Sequence, residues 1–324
     1  MKRRTLIATG LALPFLAPAR AKEASALADA ITPLQQLHSL QVQIGPDVLI
    51  AEAPRGPGLD RAANIKSCSK SIVALLLGDA LRQGSVPAVT ARLGDVAPRL
   101  IPAGADARAA DITLEDLVTL RAGLERTSGP NYGEWVSSSN WVANALGREF
   151  VAEPGGRMLY STGSFHILGA ALAEATGESL LAQARRALGE PLGIEIPAWT
   201  RDPQGYFLGG NEMALTPRSM LKIAVMMRDG GMFGDTQVVA EEWVNRSTTS
   251  RTRSPFSGMD YGYGWFLTRS GYALARGYGG QVIAFHPGRD LAVAITSDPT
   301  LPARSGGYFG DLARLLDGPI LALA

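Results

Sequence analysis

The chain has 324 residues, 46% of them hydrophobic and 19% charged, with a formal net charge of +1 and a single cysteine. That length holds one large domain or two closely packed ones, and the near-balanced charge gives no ground for a nucleic-acid or anionic-membrane partner. One cysteine excludes an internal disulfide, and beyond the N-terminal segment no apolar run reaches the roughly 18 residues of a membrane span.

Lys2-Arg3-Arg4, the apolar stretch from Leu6 to Ala17 and the small residues Ala19 and Ala21 form the pattern of an export signal over residues 1–21. Its paired arginines resemble a twin-arginine signal, with the ordinary secretory route as the rival. Removal of that segment leaves 27 basic and 30 acidic side chains, a net charge of −3, and predicts a periplasmic or secreted protein. Leu40, Val42 and Ile44, then Val48 and Ile50, alternate about Gly45-Pro46-Asp47 and predict a hairpin. Nearly every residue from Ile72 to Leu81 is apolar, so this helix is expected to be buried all round and to end near Gly84. Further helices are expected over Ile112–Leu120, stopped by Gly123, and over Phe165–Ala175, stopped by Gly177. Another starts at Thr216-Pro217, where threonine caps and proline takes the first helical position. Strands follow at Tyr261–Leu267, Tyr272–Arg276, Gln281–Phe285 and Leu291–Thr296, with a turn over His286–Asp290 and a closing helix over Leu312–Leu323. Short links between consecutive strands make the sheet antiparallel. The expected fold class is α/β of the α+β kind: a sheet domain from residues 22–88 and 220–324, with a mainly helical domain, 89–219, inserted.

Chemistry enters with Ser67-Cys68-Ser69-Lys70. Serine and lysine three residues apart lie about one helical turn from each other, so the amine can sit beside the hydroxyl. Of the 31 Lys and Arg residues only five are lysine, at positions 2, 22, 66, 70 and 222. A desolvated lysine, unlike arginine, can lose its proton and act as a base. Spacing alone does not single out Ser67, because Ser219-Met220-Leu221-Lys222 repeats it. Ser219 falls in the first turn of the Thr-Pro-capped helix, where serine is routine, so that copy reads as structural. Lys66 reads as a structural or solvent-facing neighbour, and Cys68 as a small buried residue behind the helix. Tyr160, between the Gly155-Gly156 turn and a helix, is either a buried aromatic with a bonded hydroxyl or a general acid/base. Gly277-Tyr278-Gly279-Gly280-Gln281 places glycines ahead of an apolar strand, the mark of a bulge or of close approach by backbone or ligand.

In this order the three segments resemble the penicillin-recognising serine hydrolases. The resemblance is greatest to the branch of class C β-lactamases and related esterases and amide hydrolases, 6-aminohexanoate-dimer hydrolases among them. The family pattern is Ser-x-x-Lys, then Tyr-x-Asn, then a Lys-Thr-Gly or His/Trp-x-Gly strand. Ser67 to Lys70 matches the first, Tyr160-Ser161-Thr162 the second with Thr162 for asparagine, and Tyr278-Gly279-Gly280 takes the third. Gly123-Leu124, Leu215-Thr216-Pro217 and Tyr261-Gly262-Tyr263-Gly264-Trp265 also fit the family.

The resemblance implies Ser67 as a nucleophile that forms an acyl-enzyme, with Lys70 and Tyr160 as general base and acid. It implies an oxyanion hole from the backbone N–H groups of Ser67 and Gln281, and substrate contacts from Tyr278, Gly279, Gly280 and Thr162. No cofactor is implied, and His38, His166 and His286 have no metal-ligand spacing. Tyr278 in place of the family's lysine removes a cation that pairs with acyl-donor carboxylates, which points to small neutral or hydrophobic ester and amide substrates. The alternatives are a β-lactamase or D-Ala-D-Ala-type peptidase on the same scaffold, or a binding protein that keeps the fold without turnover. Asn131 to Trp135 reads as a lid over the site or as a surface loop with anchoring aromatics.

Overall fold

A computed structural model describes Leu27 and residues 29–324; the segment read as an export signal lies outside them. Eight strands form one antiparallel sheet: β1 (Leu37–Ile44), β2 (Asp47–Glu52), β3 (Thr252–Arg253), β4 (Asp260–Tyr261), β5 (Phe266–Leu267), β6 (Ala273–Gly277), β7 (Gln281–His286) and β8 (Leu291–Ser297). Their order is β2-β1-β8-β7-β6-β5-β4-β3, so the first strands of the chain close against the last. All of β8 and all but the last residue of β7 are buried, which requires cover on both faces at the sheet's centre. The β1–β2 hairpin forms where the alternation placed it, with Gly45 supplying the positive φ of its turn.

Five helices bear on the site: α1 (Ser69–Arg82), α2 (Leu114–Val118), α3 (Thr162–Thr176), α4 (Pro217–Arg228) and α5 (Tyr308–Leu315). Helix α1 is buried from Ser69 through Gly78, as its unbroken apolar run requires. Each buried leucine in it contributes on the order of 2 kcal/mol. Gly78 lies under the Trp243 indole, where a Cβ would come within 2.4 Å of the ring. The same indole donates to the Ala74 carbonyl at 3.1 Å, and the Ser71 hydroxyl donates to the Gly264 carbonyl at 2.6 Å. The helix that starts beside Ser67 is thus pinned along its length. Helix α4 begins with Thr216 accepting from the Ser219 N–H, and it packs on β1, β7 and β8.

Several boundaries differ from expectation for local reasons. Helix α2 is shorter than Ile112–Leu120: Thr113 and Asp116 form a reciprocal capping box at its start, and Leu120, at φ 61°, turns the chain away before Gly123 is reached. Tyr261 to Leu267 is a hairpin of two short strands, β4 and β5, because Gly264 takes a positive φ between them. Helix α3 starts three residues before Phe165 and ends, as expected, at the left-handed Gly177. The closing helix starts at Tyr308, and Pro319, which has no N–H to donate, lies in a widened turn over Leu316–Ile320.

Candidate active site

Ser67 lies in a single tight turn, Lys66–Cys68, that runs into α1. The Lys70 amine, one turn on, is 3.1 Å from the Ser67 hydroxyl, 3.2 Å from the Thr162 hydroxyl and 2.7 Å from the Gly210 carbonyl. Only 2% of Lys70 is exposed. Among the described residues no carboxylate faces it, so desolvation dominates and brings its pKa down to about 7. At neutral pH a substantial fraction of Lys70 is therefore the free amine, able to accept a proton.

Tyr160 precedes α3, and its hydroxyl shares a hydrogen bond with Ser67. Burial raises its pKa to about 12, against the opposing pull of that hydrogen bond and of the Arg276 charge. The phenol stays protonated at neutral pH and can hand a proton on. Its ring stacks on Phe266 at 6.4 Å and lies 5.0 Å from the Lys70 amine. The start of α3 is held from outside: the Thr162 N–H donates to Ser128 Oγ at 2.9 Å and the Gly163 N–H to Thr127 Oγ1 at 2.8 Å. Those bonds satisfy helix N–H groups that have no partner within the helix. The Thr162 hydroxyl sits between Ser128, at 3.0 Å, and Lys70. In this structure Thr162 therefore contacts the lysine as well as lining the cavity.

These groups open onto a cavity of about 590 Å³, a size ordinary for a small-molecule site. Its apolar walls come from Tyr132, Phe256, Phe266, Tyr278 and Pro299. Its charged lining is Lys66, Arg126, Glu212 and Arg276. Glu212 pairs with Lys66 at 3.0 Å. Arg276 has no carboxylate partner among the described residues: its guanidinium donates to Ser305 Oγ and the Ala303 carbonyl, both at 2.9 Å, and lies 3.6 Å from the Phe309 ring. Burial brings its pKa down to about 10, which still leaves it charged at neutral pH. Arg126 lies over the exposed Phe256 ring at 5.4 Å.

The structure brings Ser67, Lys70, Tyr160, Thr162 and Tyr278 together, but not Gly279, Gly280 or Gln281. The last three are not among the cavity's lining residues; Gly277 and Tyr278 are. Gln281 is wholly buried at the start of β7, opposite Gly277, with its side-chain amide donating to the Ser297 carbonyl at 2.8 Å. The room left by Gly279 is taken by the Asp298 carbonyl, and that left by Gly280 by the Tyr308 ring. A Cβ on Gly277 would meet the Ile65 carbonyl at 2.4 Å, so the glycine needed beside the nucleophile turn is Gly277. The Tyr278 N–H has no partner among the described residues.

Ser219 and Lys222 serve α4. The serine pairs with Thr216, and the Lys222 amine donates to the Leu192 and Gly193 carbonyls at a helix end. Cys68 is fully buried, and burial pushes its thiol pKa well up. In the 131–135 segment Tyr132, at the start of a short helix over Tyr132–Val136, lines the cavity, while Trp135 is buried against Trp141 and His166.

A β-lactamase family model matches residues 51–315, most of the chain. The chain belongs to the β-lactamase family. Its fold is shared by EstCE1, a hydrolase with promiscuous acyltransferase activity, at TM-score 0.76 and 16% identity over 93% of this chain and 99% of that one. A penicillin-binding protein homologue from Caulobacter crescentus gives TM-score 0.75 and 15% identity, covering 95% and 98%. A protein described as a 6-aminohexanoate-dimer hydrolase from Bacillus anthracis gives TM-score 0.72 and 14% identity, covering 91% and 82%. No functionally curated protein matches the sequence significantly. Family membership supports a serine hydrolase, and identities this low carry the fold alone.

Proposed function

We propose that the chain is an exported serine hydrolase that cleaves an ester or amide bond through an acyl-enzyme on Ser67. The observation that carries this reading is the Lys70 amine, buried with no carboxylate partner among the described residues and 3.1 Å from the Ser67 hydroxyl. In the proposed sequence Lys70 takes the Ser67 proton as Oγ bonds to the acyl carbon. Tyr160 delivers a proton to the leaving group as the old bond breaks and is reprotonated from Lys70. Water then gives a proton to the same pair as its oxygen bonds to the acyl carbon, and that proton returns to Ser67 Oγ as the Oγ–acyl bond breaks and the acid leaves. The second oxyanion donor is assigned to the N–H of Tyr278, which has no partner among the described residues, beside that of Ser67 and in place of Gln281. A fluorophosphonate probe on the mature protein is expected to label the peptide that contains Ser67. A protein left unlabelled across pH 6 to 9 would be the binding-only alternative.

The preference for neutral acyl donors rested on Tyr278 standing where the family carries a cation. Arg276, next to Gly277 on β6, returns a positive charge to the same wall, which favours an acyl donor with an apolar body and an anionic group. A lactam- or peptide-type donor bearing a carboxylate becomes the second reading for the same reason. Arg276→Met is expected to raise KM for a carboxylate-bearing ester about 10- to 100-fold, and to change KM for its neutral methyl ester less than about threefold. Equal effects on the two esters would remove Arg276 from substrate recognition.

A further inference from the structure

Lys66 lines the cavity but has no part in the proposed reaction, and its surroundings are unusual. Among the described residues four non-glycine residues have positive φ, and two of them, Lys66 at 50° and Glu212 at 66°, pair with each other in the cavity lining. Left-handed backbone at non-glycine residues costs free energy and persists where neighbouring structure enforces it, often at functional sites. Here three side-chain bonds close a ring. The Lys66 amine donates to Glu212 Oε1 at 3.0 Å, the Asn64 amide to Glu212 Oε2 at 2.6 Å, and the Lys66 N–H to Asn64 Oδ1 at 2.9 Å.

The ring joins two segments that must keep register for Lys70 to work. On one side is the turn that holds Ser67. On the other is the loop at 209–213, whose Gly210 carbonyl accepts from Lys70. Backbone bonds run alongside: the Ile65 N–H donates to the Met213 carbonyl at 2.9 Å, and Asn64 lies opposite Ala214 in a short antiparallel pair. Gly210 has little freedom of its own, since a Cβ there would come 2.9 Å from Phe165 Cβ and 3.3 Å from the Lys70 amine.

We infer that Lys66, Asn64 and Glu212 form a clamp that fixes the nucleophile turn against the Gly210 loop and so holds Ser67 and Lys70 in reacting register. The three are positioning residues, and the inference rests on the hydrolase reading above. Lys66 and Glu212 are 20% and 27% exposed, open enough to feel solvent, so the clamp acts through geometry more than through charge strength.

The test is a double-mutant cycle on Lys66→Ala and Glu212→Ala, read by fluorophosphonate labelling rate and by kcat and KM on a neutral ester. Each single variant is expected to lower kcat and the labelling rate about tenfold with KM little changed. The double variant is expected to fall no further than the worse single, because both break one interaction. Lys66→Arg, which keeps the charge, should recover activity to within about threefold. Glu212→Gln, which keeps volume and the Asn64 bond, replaces Glu212→Ala if the latter melts below assay temperature. Wild-type kcat in Lys66→Ala, or losses that multiply in the double variant, would overturn the clamp. Labelling of the wild type that is equalled by every variant sinks the clamp alone. No labelling of the wild type sinks the hydrolase reading and the clamp with it.

Discussion

Replacing Lys70 by methionine should slow acylation of Ser67 by about 10²- to 10⁴-fold, the range for loss of a positioned general base. In the wild type kcat/KM should rise with pH through about 7, where burial has brought Lys70, and then level. The methionine variant should lose that limb. The same shift has a signature in stability. Lys70 is lowered from 10.5 to about 7 on folding, so between those values the unfolded chain binds more protons than the folded one and stability rises with pH. Below about 7 both states carry the proton, and the cost of burying a charged lysine is felt in full. Thermal melts should therefore show the variant gaining most over the wild type at pH 6, and the gap closing by a few kcal/mol toward pH 10. A gap that does not change with pH would show that Lys70 keeps its ordinary affinity for protons and would argue against its role as base.

That limb also separates the lysine from the other candidate. Tyr160 is raised to about 12, and its titration lies beyond the usual assay range. An ascending limb near neutrality therefore belongs to Lys70. Arg276, close enough to lower Tyr160 and itself still charged, favours brief negative charge on the phenol without making it permanent.

Much of this arrangement was legible in the chain because it is local. Ser67 and Lys70 are one turn apart, and a continuous apolar run signals the buried helix that carries them. Thr216-Pro217 states its own helix start. The third segment was harder, because a run of glycines does not say what fills the space they leave. Gly279 and Gly280 make room for Asp298 and Tyr308, whereas Gly277 makes room for the nucleophile turn. The oxyanion donor we propose is accordingly the Tyr278 N–H in place of that of Gln281. Arg276 did leave a trace, as the one charged residue of an otherwise apolar strand. Ser128, Gly210 and Glu212 left less. Ser128 meets Thr162 from 34 residues away, and Gly210 and Glu212 meet Lys70 and Lys66 from 140 and 146 residues away, contacts that only the folded chain sets.

Tyr160→Phe keeps the ring, its stacking on Phe266 and the walls of the cavity, and removes only the hydroxyl that bonds Ser67. The expected loss depends on what leaves. An amine or an alkoxide is strongly basic and must gain a proton as it departs, so amide and alkyl ester turnover should fall about 10²- to 10³-fold. p-Nitrophenolate is weakly basic and departs as the anion, so its ester should lose less than about tenfold in acylation. Comparing kcat/KM for a matched p-nitrophenyl ester, alkyl ester and anilide in wild type and variant reads this directly. A widening penalty with leaving-group basicity places the proton on Tyr160 at bond breaking. A uniform penalty across the three would mean that the hydroxyl only orients Ser67, and would leave Lys70 to carry the proton both ways.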